Sequence, residues 1–280
     1  MKLINGTELS NKLNEENRIE VLKFKRKPKL QIYQVGDDFS SNKYIKYKQK
    51  KAKDLGIEFE LLRFKNNVLE EVVIEQINKS NNDDSVTAII VQLPIPKHIN
   101  QINIIKAIDP IKDADGFTPV AMGETVLGLP INPPATPKGI MKLIEGEKIN
   151  LIGSDVVIIG RSNIVGKPLA NMLINKQATV TICNTKTNNL DTHIKNAEII
   201  IAAAGSPNLI NKNNIGHNQI VIDVGSNYVN GKYCGDANFD EIKNEVSLIT
   251  PVPGGVGPMT IWALFDNVIQ LYKLQNKNNT

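Results

Sequence analysis

The chain has 280 residues, of which 41% are hydrophobic and 22% charged, a composition typical of globular proteins that excludes a disordered or collagen-like chain. The net charge of +4 is too small by itself to indicate nucleic-acid binding. The longest apolar stretches, such as residues 86–93, are far shorter than the roughly 20 residues that cross a bilayer, so we expect no membrane partner. With two cysteines and no secretory signal pattern, a reducing cytoplasm is the expected location.

Helix and strand patterns alternate through the first 92 residues. The predicted helices cover residues 7–25, 41–55 and 69–77, and the predicted strands cover residues 30–35, 57–64 and 86–92. Short apolar runs that alternate with helices indicate βαβ units and a mainly parallel sheet. The next stretch, residues 94–134, is rich in proline, and it is predicted to be rich in loops and to contain the crossing between two domains.

The second half of the sequence repeats the alternation. Predicted strands cover residues 156–159, 179–183, 199–203 and 221–224, between a helix that begins at residue 136 and a last helix that begins at residue 258. The predicted fold is therefore α/β, with two α/β domains and a cleft between them. We assign residues 1–135 to the first domain and residues 136–257 to the second, and we expect the C-terminal helix, residues 258–280, to pack back on the first.

A glycine-containing loop, VVIIGRSNIVGKPLA (residues 156–170), joins a predicted buried strand to a helix. Gly160 suits the sharp turn, Gly166 lets the backbone approach a phosphate, and the helix N-terminus offers free N–H groups to an anion. The loop is not the G-x-G-x-x-G fingerprint, because Arg161 and Ser162 follow the first glycine. An ordinary strand-to-helix turn therefore remains the alternative to a dinucleotide site.

Two further residues bear on which dinucleotide such a site binds. Sites for a ribose 2′-phosphate often place an arginine nearby, as Arg161 is here, whereas sites for a free 2′-hydroxyl use an acidic residue after the second strand. That strand is followed here by Asn184, Thr185 and Lys186, with no acid. A hydroxyl and a lysine suit a phosphate, so the sequence favours NADP over NAD.

Tyr44 and Lys48 lie four residues apart on a predicted helix, so their side chains share a face. Tyr-x-x-x-Lys is also the catalytic pair of short-chain dehydrogenases, but in that family the glycine-rich loop precedes the pair, whereas here it follows. We therefore reject that interpretation. The remaining alternative is that Lys48 is one of many solvated lysines on a lysine-rich helix.

Three other segments carry residue types suited to a ligand site. Gln92 ends a predicted buried strand in VQLPIP, at the strand edge where α/β proteins bind ligands. Asp115 lies in the tight acidic turn KDADGF, where a structural role as an Asx-turn residue is the alternative. The segment PVPGGVGPMT, residues 251–260, has an open backbone that a ligand can approach closely, although a complicated turn has the same composition.

These segments together resemble the FolD-type bifunctional methylenetetrahydrofolate dehydrogenase/methenyltetrahydrofolate cyclohydrolases. The matching motifs run in the family's order from the Tyr44 and Lys48 pair through VQLPIP, KDADGF, PATP, GRSNIVGKP and VIDVGSN to PVPGGVGPMT. They cover most of the chain, and VQLPIP together with PVPGGVGPMT is highly specific for the family.

The resemblance implies a folate cleft between two α/β domains, the second a Rossmann-like NADP-binding domain, in a homodimer. It implies that Lys48 is the catalytic lysine, Tyr44 the stacking tyrosine, Gln92 the glutamine that supports the lysine, and Asp115 the pterin-binding aspartate. The implied cofactor contacts are Gly160, Arg161, Ser162, Thr185 and Ser226. The chain departs from the usual family residues at Ala135, Asn184, Ser226 and Asn238, and most of these departures are on the cofactor side.

The implied reactions are oxidation of 5,10-methylene-tetrahydrofolate to the methenyl form and hydrolysis of that form to 10-formyl-tetrahydrofolate. A lysine can both activate water and protonate the leaving nitrogen if burial or a nearby cation such as Lys51 lowers its pKa. The three histidines are too scattered in the sequence to suggest a metal site. A non-catalytic nucleotide sensor has no use for Lys48, Gln92 and Asp115 together, and a lysine-rich RNA-binding module needs more aromatic residues than the 5% present.

Overall fold

A computed structural model describes residues 2–229 and 231–276 of the chain. Helices alternate with strands that pair in parallel, so the predicted α/β class is confirmed. The chain divides into two compact units. We call residues 12–124, 130–135 and 264–276 the small-sheet unit, and residues 2–11, 125–129 and 136–263 the large-sheet unit.

The small-sheet unit contains a parallel three-stranded sheet made of β2 (Lys29–Val35), β3 (Glu58–Phe64) and β4 (Ala88–Val91), in the order β3–β2–β4. Helices α2 (Phe39–Leu55) and α3 (Glu70–Asn81) join these strands, and helix α1 (Gly6–Val21) precedes them. The core contains the buried side chains of Tyr33, Ile77 and Ile89. Helix α2 begins after Asp38, whose carboxylate accepts the Ser41 N–H at 2.8 Å, and it ends at Gly56, which has a φ of +75°.

The stretch predicted to be rich in loops, residues 94–134, also contains helices that the sequence pattern did not predict. Helix α4 (Gln101–Ala107), a 3₁₀ turn (Pro110–Lys112) and helix α5 (Pro119–Leu127) lie there. Proline misled the prediction because Pro110 and Pro119 stand at the first positions of these elements, where proline is well tolerated. The side chain of Asn100 caps α4 by accepting the N–H of Ile102 at 2.9 Å.

The large-sheet unit contains a parallel sheet in the order β1–β11–β8–β7–β5–β6. The strands are β1 (Lys2–Leu3), β5 (Asp155–Ile159), β6 (Thr179–Cys183), β7 (Ile199–Ala202), β8 (Ile220–Asp223) and β11 (Leu248–Ile249). The chain leaves β5 toward β6 and returns to β7 on the other side of β5. Such a reversal opens a crevice at the carboxyl ends of the strands, which is where ligands bind in open α/β sheets.

Helices and a short hairpin complete the large-sheet unit. The helices are α6 (Ala135–Gly146), α7 (Gly166–Ile174), α8 (Leu190–Asn196), α9 (Phe239–Ile242) and the first part of α10 (Val256–Gln275). Strands β9 (Asn227–Val229) and β10 (Lys232–Cys234) form an antiparallel hairpin, which the sequence analysis did not predict. No helix in residues 2–229 or 231–276 is both long and apolar enough to cross a membrane.

The units differ from the predicted division of the chain in three segments, residues 2–11, 125–129 and 258–263, which group with the large-sheet unit. Strand β1 pairs in parallel with β11, so residues 2–11 group with the large-sheet unit although they were assigned to the first domain. From residue 264 onward α10 belongs to the small-sheet unit. There Tyr272 stacks on Phe24 with ring centroids 4.3 Å apart. The last four residues of the predicted C-terminal helix, 277–280, lie outside the described residues.

Candidate active site

Helix α2 and strand β4 bring Lys48 and Gln92 together in the small-sheet unit. The Lys48 Nζ donates a hydrogen bond to Gln92 Oε1 at 3.0 Å. Gln92 directly follows β4, and its backbone N–H donates to the Tyr33 carbonyl of the neighbouring strand β2 at 2.8 Å. Its side-chain Nε2 donates to the carbonyl of Leu93 at 2.8 Å. The amide is therefore held at both ends, with its oxygen presented to the lysine.

Asp115 lies in a turn that is held by buried side chains. The carboxylate of Asp113, two residues earlier, accepts the backbone N–H of Gly116 at 2.9 Å and of Thr118 at 2.7 Å. From helix α10, the buried Asn267 Nδ2 donates to the carbonyl of Ala114 at 2.9 Å. The Asx-turn role that the sequence offered as an alternative for Asp115 is therefore filled by Asp113. The carboxylate of Asp115 is left available for other partners.

Burial and charge shift the pKa values of the residues at this site. Burial lowers the pKa of Lys48, and the carboxylate of Asp115 acts in the opposite direction. Burial raises the pKa of Asp115 to about 6; the charge of Lys48 opposes this increase, and the charge of Asp113 adds to it. A lysine with a lowered pKa next to an aspartate with a raised one is typical of acid–base sites. The lowered pKa argues against the interpretation of Lys48 as one more solvated lysine.

The surroundings of this group include an aromatic ring and an apolar recess. Tyr44 precedes Lys48 by one helical turn of α2 and is 44% exposed, so its ring is accessible on the same helix face. The recess beside Asp115 is lined by Val91, Leu93, Ile105, Ile108, Asp113 and Phe117. An exposed aromatic face next to fixed polar groups suits a flat, heterocyclic ligand.

In the large-sheet unit, the loop between β5 and α7 leaves no space for side chains at its two glycines. A Cβ at Gly160, where φ is +136°, would lie 2.2 Å from the carbonyl oxygen of Ala203, and a Cβ at Gly166 would lie 2.0 Å from the carbonyl oxygen of Gly160. The loop therefore forms a tight cradle at the β5–β7 crevice, followed by a helix N-terminus. This geometry fits the diphosphate of a dinucleotide.

The other predicted cofactor residues lie along the same edge of the sheet. Arg161 and Ser162 are exposed directly after β5, Thr185 is exposed after β6, and Ser226 is exposed after β8. The hydroxyl oxygen of Ser162 accepts the N–H of Val165 at 3.1 Å, so this side chain also caps the start of α7. The structure thus gathers Lys48, Gln92 and Asp115 in one unit and the five cofactor candidates in the other.

Several buried polar residues that hold these loops were not predicted from the sequence. Asp113 and Asn267 hold the turn that carries Asp115, and Asp223 and Asp236 are buried in the large-sheet unit. The D-A-D-G spacing was a usable signal for Asp113, because an aspartate often accepts backbone N–H groups two or more residues ahead. Within the described ranges, no three His, Cys, Asp or Glu side chains are grouped so that they could hold a metal ion.

A parallel sheet with a phosphate-type turn at its reversal point is the architecture of dinucleotide-dependent oxidoreductases. In this chain it is combined with a second α/β unit that carries the half-buried Lys48. Comparison with known proteins specifies this class further. The NAD(P)-binding domain of the tetrahydrofolate dehydrogenase/cyclohydrolase family matches residues 134–276. The catalytic domain of the same family matches residues 4–115.

Individual relatives extend over nearly the whole chain. Bifunctional protein FolD of Acetivibrio thermocellus is 44% identical over 280 residues, which cover 99% of this chain and 98% of the relative. The FolD crystal structure from Campylobacter jejuni has a TM-score of 0.96 and 41% identity, with 100% of both chains covered. The Trypanosoma brucei FolD, solved in complex with NADP cofactor and inhibitor, has a TM-score of 0.93 and 31% identity, with 97% of each chain covered.

The chain belongs to the tetrahydrofolate dehydrogenase/cyclohydrolase family. This membership confirms the predicted enzyme class, which combines methylenetetrahydrofolate dehydrogenase and methenyltetrahydrofolate cyclohydrolase activities in one-carbon metabolism. It also confirms the predicted Rossmann-like domain for a nicotinamide dinucleotide.

Proposed function

We propose that Lys48, supported by Gln92, is the proton-transfer group of the cyclohydrolase reaction. The observation that carries this proposal is the 3.0 Å hydrogen bond from Lys48 Nζ to an amide oxygen that is itself held in place. Because burial lowers the pKa of Lys48, a larger fraction of the amine is neutral near pH 7 than in an ordinary lysine. A neutral amine can accept a proton from water, and the resulting ammonium can return it.

The hydrolysis then runs in two proton transfers. Lys48 takes a proton from water as the water oxygen forms a bond to the methenyl carbon. The ammonium gives the proton to N5 as the bond between that carbon and N5 breaks. The hydroxyl on that carbon loses its remaining proton to solvent as the C=O bond forms, which leaves the formyl group on N10. The net reaction consumes one water and releases one proton. Gln92 accepts a hydrogen bond from the amine, so the lysine keeps its direction throughout the cycle.

Asp115 is proposed to anchor the pterin. An ionised carboxylate accepts a bidentate pair of hydrogen bonds from the amino-pyrimidinone edge of such a ring. The turn is held by Asp113 and Asn267, so the carboxylate is positioned before the ligand arrives. Tyr44 offers its exposed ring as a stacking face for the folate. Both reactions use the same anchored substrate.

The dehydrogenase half of the function is proposed to use NADP in the large-sheet unit. When bound, the dinucleotide would supply the acceptor for the hydride that leaves the methylene carbon of the folate. The loop from Gly160 to Gly166 would hold the diphosphate, and Arg161 with Thr185 would contact the 2′-phosphate. Ser162 and Ser226 are the other proposed contacts. The exposed guanidinium of Arg161 and the absence of an acid in residues 184–186 support NADP, as does the NADP complex of the Trypanosoma brucei relative.

The decisive experiment follows two absorbance signals with purified protein. Methylene-tetrahydrofolate is supplied with NADP or NAD, and reduced nicotinamide and methenyl-tetrahydrofolate are recorded separately. We expect reduced nicotinamide to form faster with NADP, and added methenyl-tetrahydrofolate to disappear without any dinucleotide. A protein that hydrolyses the methenyl form but reduces neither dinucleotide would contradict the dehydrogenase half of the proposal.

We also propose the wider context that the family resemblance implies. Of the described residues, the small-sheet unit (12–124, 130–135 and 264–276) would be the folate-binding domain, and the large-sheet unit (2–11, 125–129 and 136–263) would be the NADP-binding domain. The enzyme would be a cytoplasmic homodimer that supplies 10-formyl-tetrahydrofolate for purine biosynthesis. Sedimentation of the purified protein tests the oligomeric state directly, since a monomer at micromolar concentration would contradict the dimer.

A further inference from the structure

Two buried carboxylates lie next to each other beneath the carboxyl edge of the large sheet. Asp236 has no exposed surface and Asp223 is 3% exposed. Burying a charge is costly unless hydrogen bonds compensate it, and both carboxylates are surrounded by N–H donors. Asp223, at the end of β8, accepts the backbone N–H groups of Gly225, Asp236 and Ala237 at 2.8–2.9 Å. This places Asp236 directly beneath the loops that follow β7 and β8.

Asp236 holds a turn that is distant in sequence. Its carboxylate accepts the backbone N–H groups of Ala204, Gly205 and Ser206 at 2.7, 3.0 and 2.8 Å. The three residues are exposed to solvent, yet their N–H groups all point inward to one buried side chain. The amides of this turn are therefore already paired and are not a phosphate site. Their conformation depends on a residue about 30 positions further along the chain.

The same carboxylate also holds the segment that follows β8. Asn227 Nδ2 donates to Asp236 Oδ1 at 2.9 Å and to the carbonyl of Gly235 at 3.1 Å. Asn227 is adjacent to Ser226, a proposed cofactor contact. The packing is tight, because a Cβ at Gly225 would lie 2.4 Å from Asp236 Oδ1. A single side chain thus fixes two loops at the carboxyl ends of neighbouring strands.

These two loops border the crevice in which the dinucleotide is proposed to bind. The residue before the turn, Ala203, has its carbonyl oxygen so close to Gly160 that a Cβ there would lie only 2.2 Å away. The turn after β7 is therefore in contact with the cradle loop after β5, at the reversal point of the sheet. Movement of the turn would change the width of the crevice.

We propose that Asp236 is a positioning residue for the dinucleotide: by holding residues 204–206 and Asn227, it fixes the side of the crevice that faces the Gly160 loop. This inference rests on the proposed cofactor site. It assigns to Asp236 an effect on dinucleotide affinity that passes through the backbone and needs no contact with the cofactor. A purely structural role predicts a loss of folding stability with an unchanged affinity of the folded protein.

The test compares Asp236→Asn with the wild type in the full-length enzyme. Asparagine keeps the size of the side chain but directs an NH₂ group at backbone donors, so the turn loses acceptors. We expect the Kd for NADP, measured by calorimetry, and the KM for NADP to rise by roughly tenfold or more, with kcat at saturating NADP within about threefold of wild type. Hydrolysis of methenyl-tetrahydrofolate without dinucleotide serves as an internal control and should change less than about twofold.

A matched control is Asp240→Asn, which removes a carboxylate of helix α9 that is 86% exposed and pairs with Lys243; its NADP affinity should equal that of the wild type. Wild-type NADP affinity in folded Asp236→Asn would overturn the inference. If that variant shows no cooperative melting transition, Asn227→Ala decides. A rise of a few-fold in the Kd of Asn227→Ala for NADP supports the positioning role of Asp236, and an unchanged Kd overturns that role.

A wild-type enzyme that does not bind NADP would contradict the proposed cofactor site itself, and this inference with it.

Discussion

Lys48 Nζ and Gln92 Oε1 lie 3.0 Å apart, and this contact joins a helix to the end of a strand 44 residues further along the chain. The glutamine cannot turn away without losing the hydrogen bond from its Nε2 to the Leu93 carbonyl. A neutral acceptor also leaves the lysine free to lose its proton, whereas a carboxylate at the same place would hold it charged. The pair is therefore suited to a lysine that changes protonation state during turnover.

Replacement of Lys48 by methionine tests its role in proton transfer. Lys48→Met should lower the cyclohydrolase rate by roughly 10²–10⁴-fold, the range typical of general acid–base catalysis. Methionine retains an unbranched stem with good helix propensity, so the melting temperature should change little. Some dehydrogenase activity should survive, and methenyl-tetrahydrofolate should accumulate. Lys46→Met and Lys50→Met are the controls, because both positions are exposed and face away from Lys48. Equal mild losses in all three variants would show that Lys48 is an ordinary surface lysine.

Gln92→Glu tests whether the neutral amide is needed beside the lysine. The new carboxylate would stabilise the ammonium form and raise the pKa of Lys48. Hydrolysis at neutral pH should fall, and the pH at which it reaches half its maximum should move upward by about one unit or more. The measurement is the cyclohydrolase pH–rate profile, with Gln101→Glu, an exposed position at the start of α4, as control. An unshifted profile would mean that Gln92 does not control the protonation of Lys48.

Folate affinity should depend on the ionisation of Asp115. Its pKa in the folded protein is about 6, against an ordinary value of 3.8, and only the ionised form accepts two hydrogen bonds from the pterin edge. The folate KM should therefore rise as the pH falls through 6, in both reactions. The raised pKa also means that this residue contributes stability below about pH 4 and that the contribution is lost as the pH rises through 6.

Asp115→Asn should remove that pH dependence while weakening folate use in both reactions. NADP affinity, measured by calorimetry, should be unchanged, because the cofactor residues lie in the other unit. Loss of the cooperative melting transition in this variant would indicate instead that Asp115 has a structural role in its turn. Retention of the wild-type KM at every pH would exclude Asp115 as the pterin anchor.

Cofactor preference should depend on Arg161. Arg161→Ala removes a charge-assisted contact to the 2′-phosphate of roughly 1.5–3 kcal/mol, so the KM for NADP should rise at least about tenfold while the KM for NAD changes little. Lys176→Ala removes an exposed positive charge at the opposite end of α7 and should affect neither cofactor. Equal effects of Arg161→Ala on both dinucleotides would contradict the assignment to the 2′-phosphate.

Asn267 is expected to matter for both stability and folate binding. The side chain is fully buried, and its Nδ2 donates to the carbonyls of Ala114 and Pro133, each at 2.9 Å. Asn267→Leu leaves two buried acceptors without this donor, so unfolding by urea should show a loss of about 2–4 kcal/mol. The folate KM should rise as well, since Ala114 precedes Asp115. Gln270→Leu, at a half-buried position of the same helix, should cost less than about 1 kcal/mol.

Local patterns were sufficient for much of the fold. The strand predicted at residues 179–183 has the observed bounds, β5 and β7 differ from their predicted bounds by one residue at one end, and β8 differs by one residue at each end. The two-residue strands β1 and β11 were not predicted. Buried parallel strands are continuous apolar runs bounded by turn residues, so neighbouring residues alone reveal them. Prediction from local patterns failed in the proline-rich middle, residues 94–134. A proline at the start of a helix and a proline in a loop can have similar sequence neighbours, so the local pattern does not distinguish them.

The residue types of the site were visible in the sequence, but their environment was not. Sequence placed Lys48 on a helix face, Gln92 at a strand end and Gly160 in a strand-to-helix turn, since these positions follow from local periodicity. Only the tertiary structure placed the half-buried Lys48 beside Gln92 and Asp115, and it alone placed Asp236 beneath a turn about 30 residues earlier. Burial, pKa and long-range hydrogen bonds depend on which segments the folded chain brings together, and no local pattern encodes that contact.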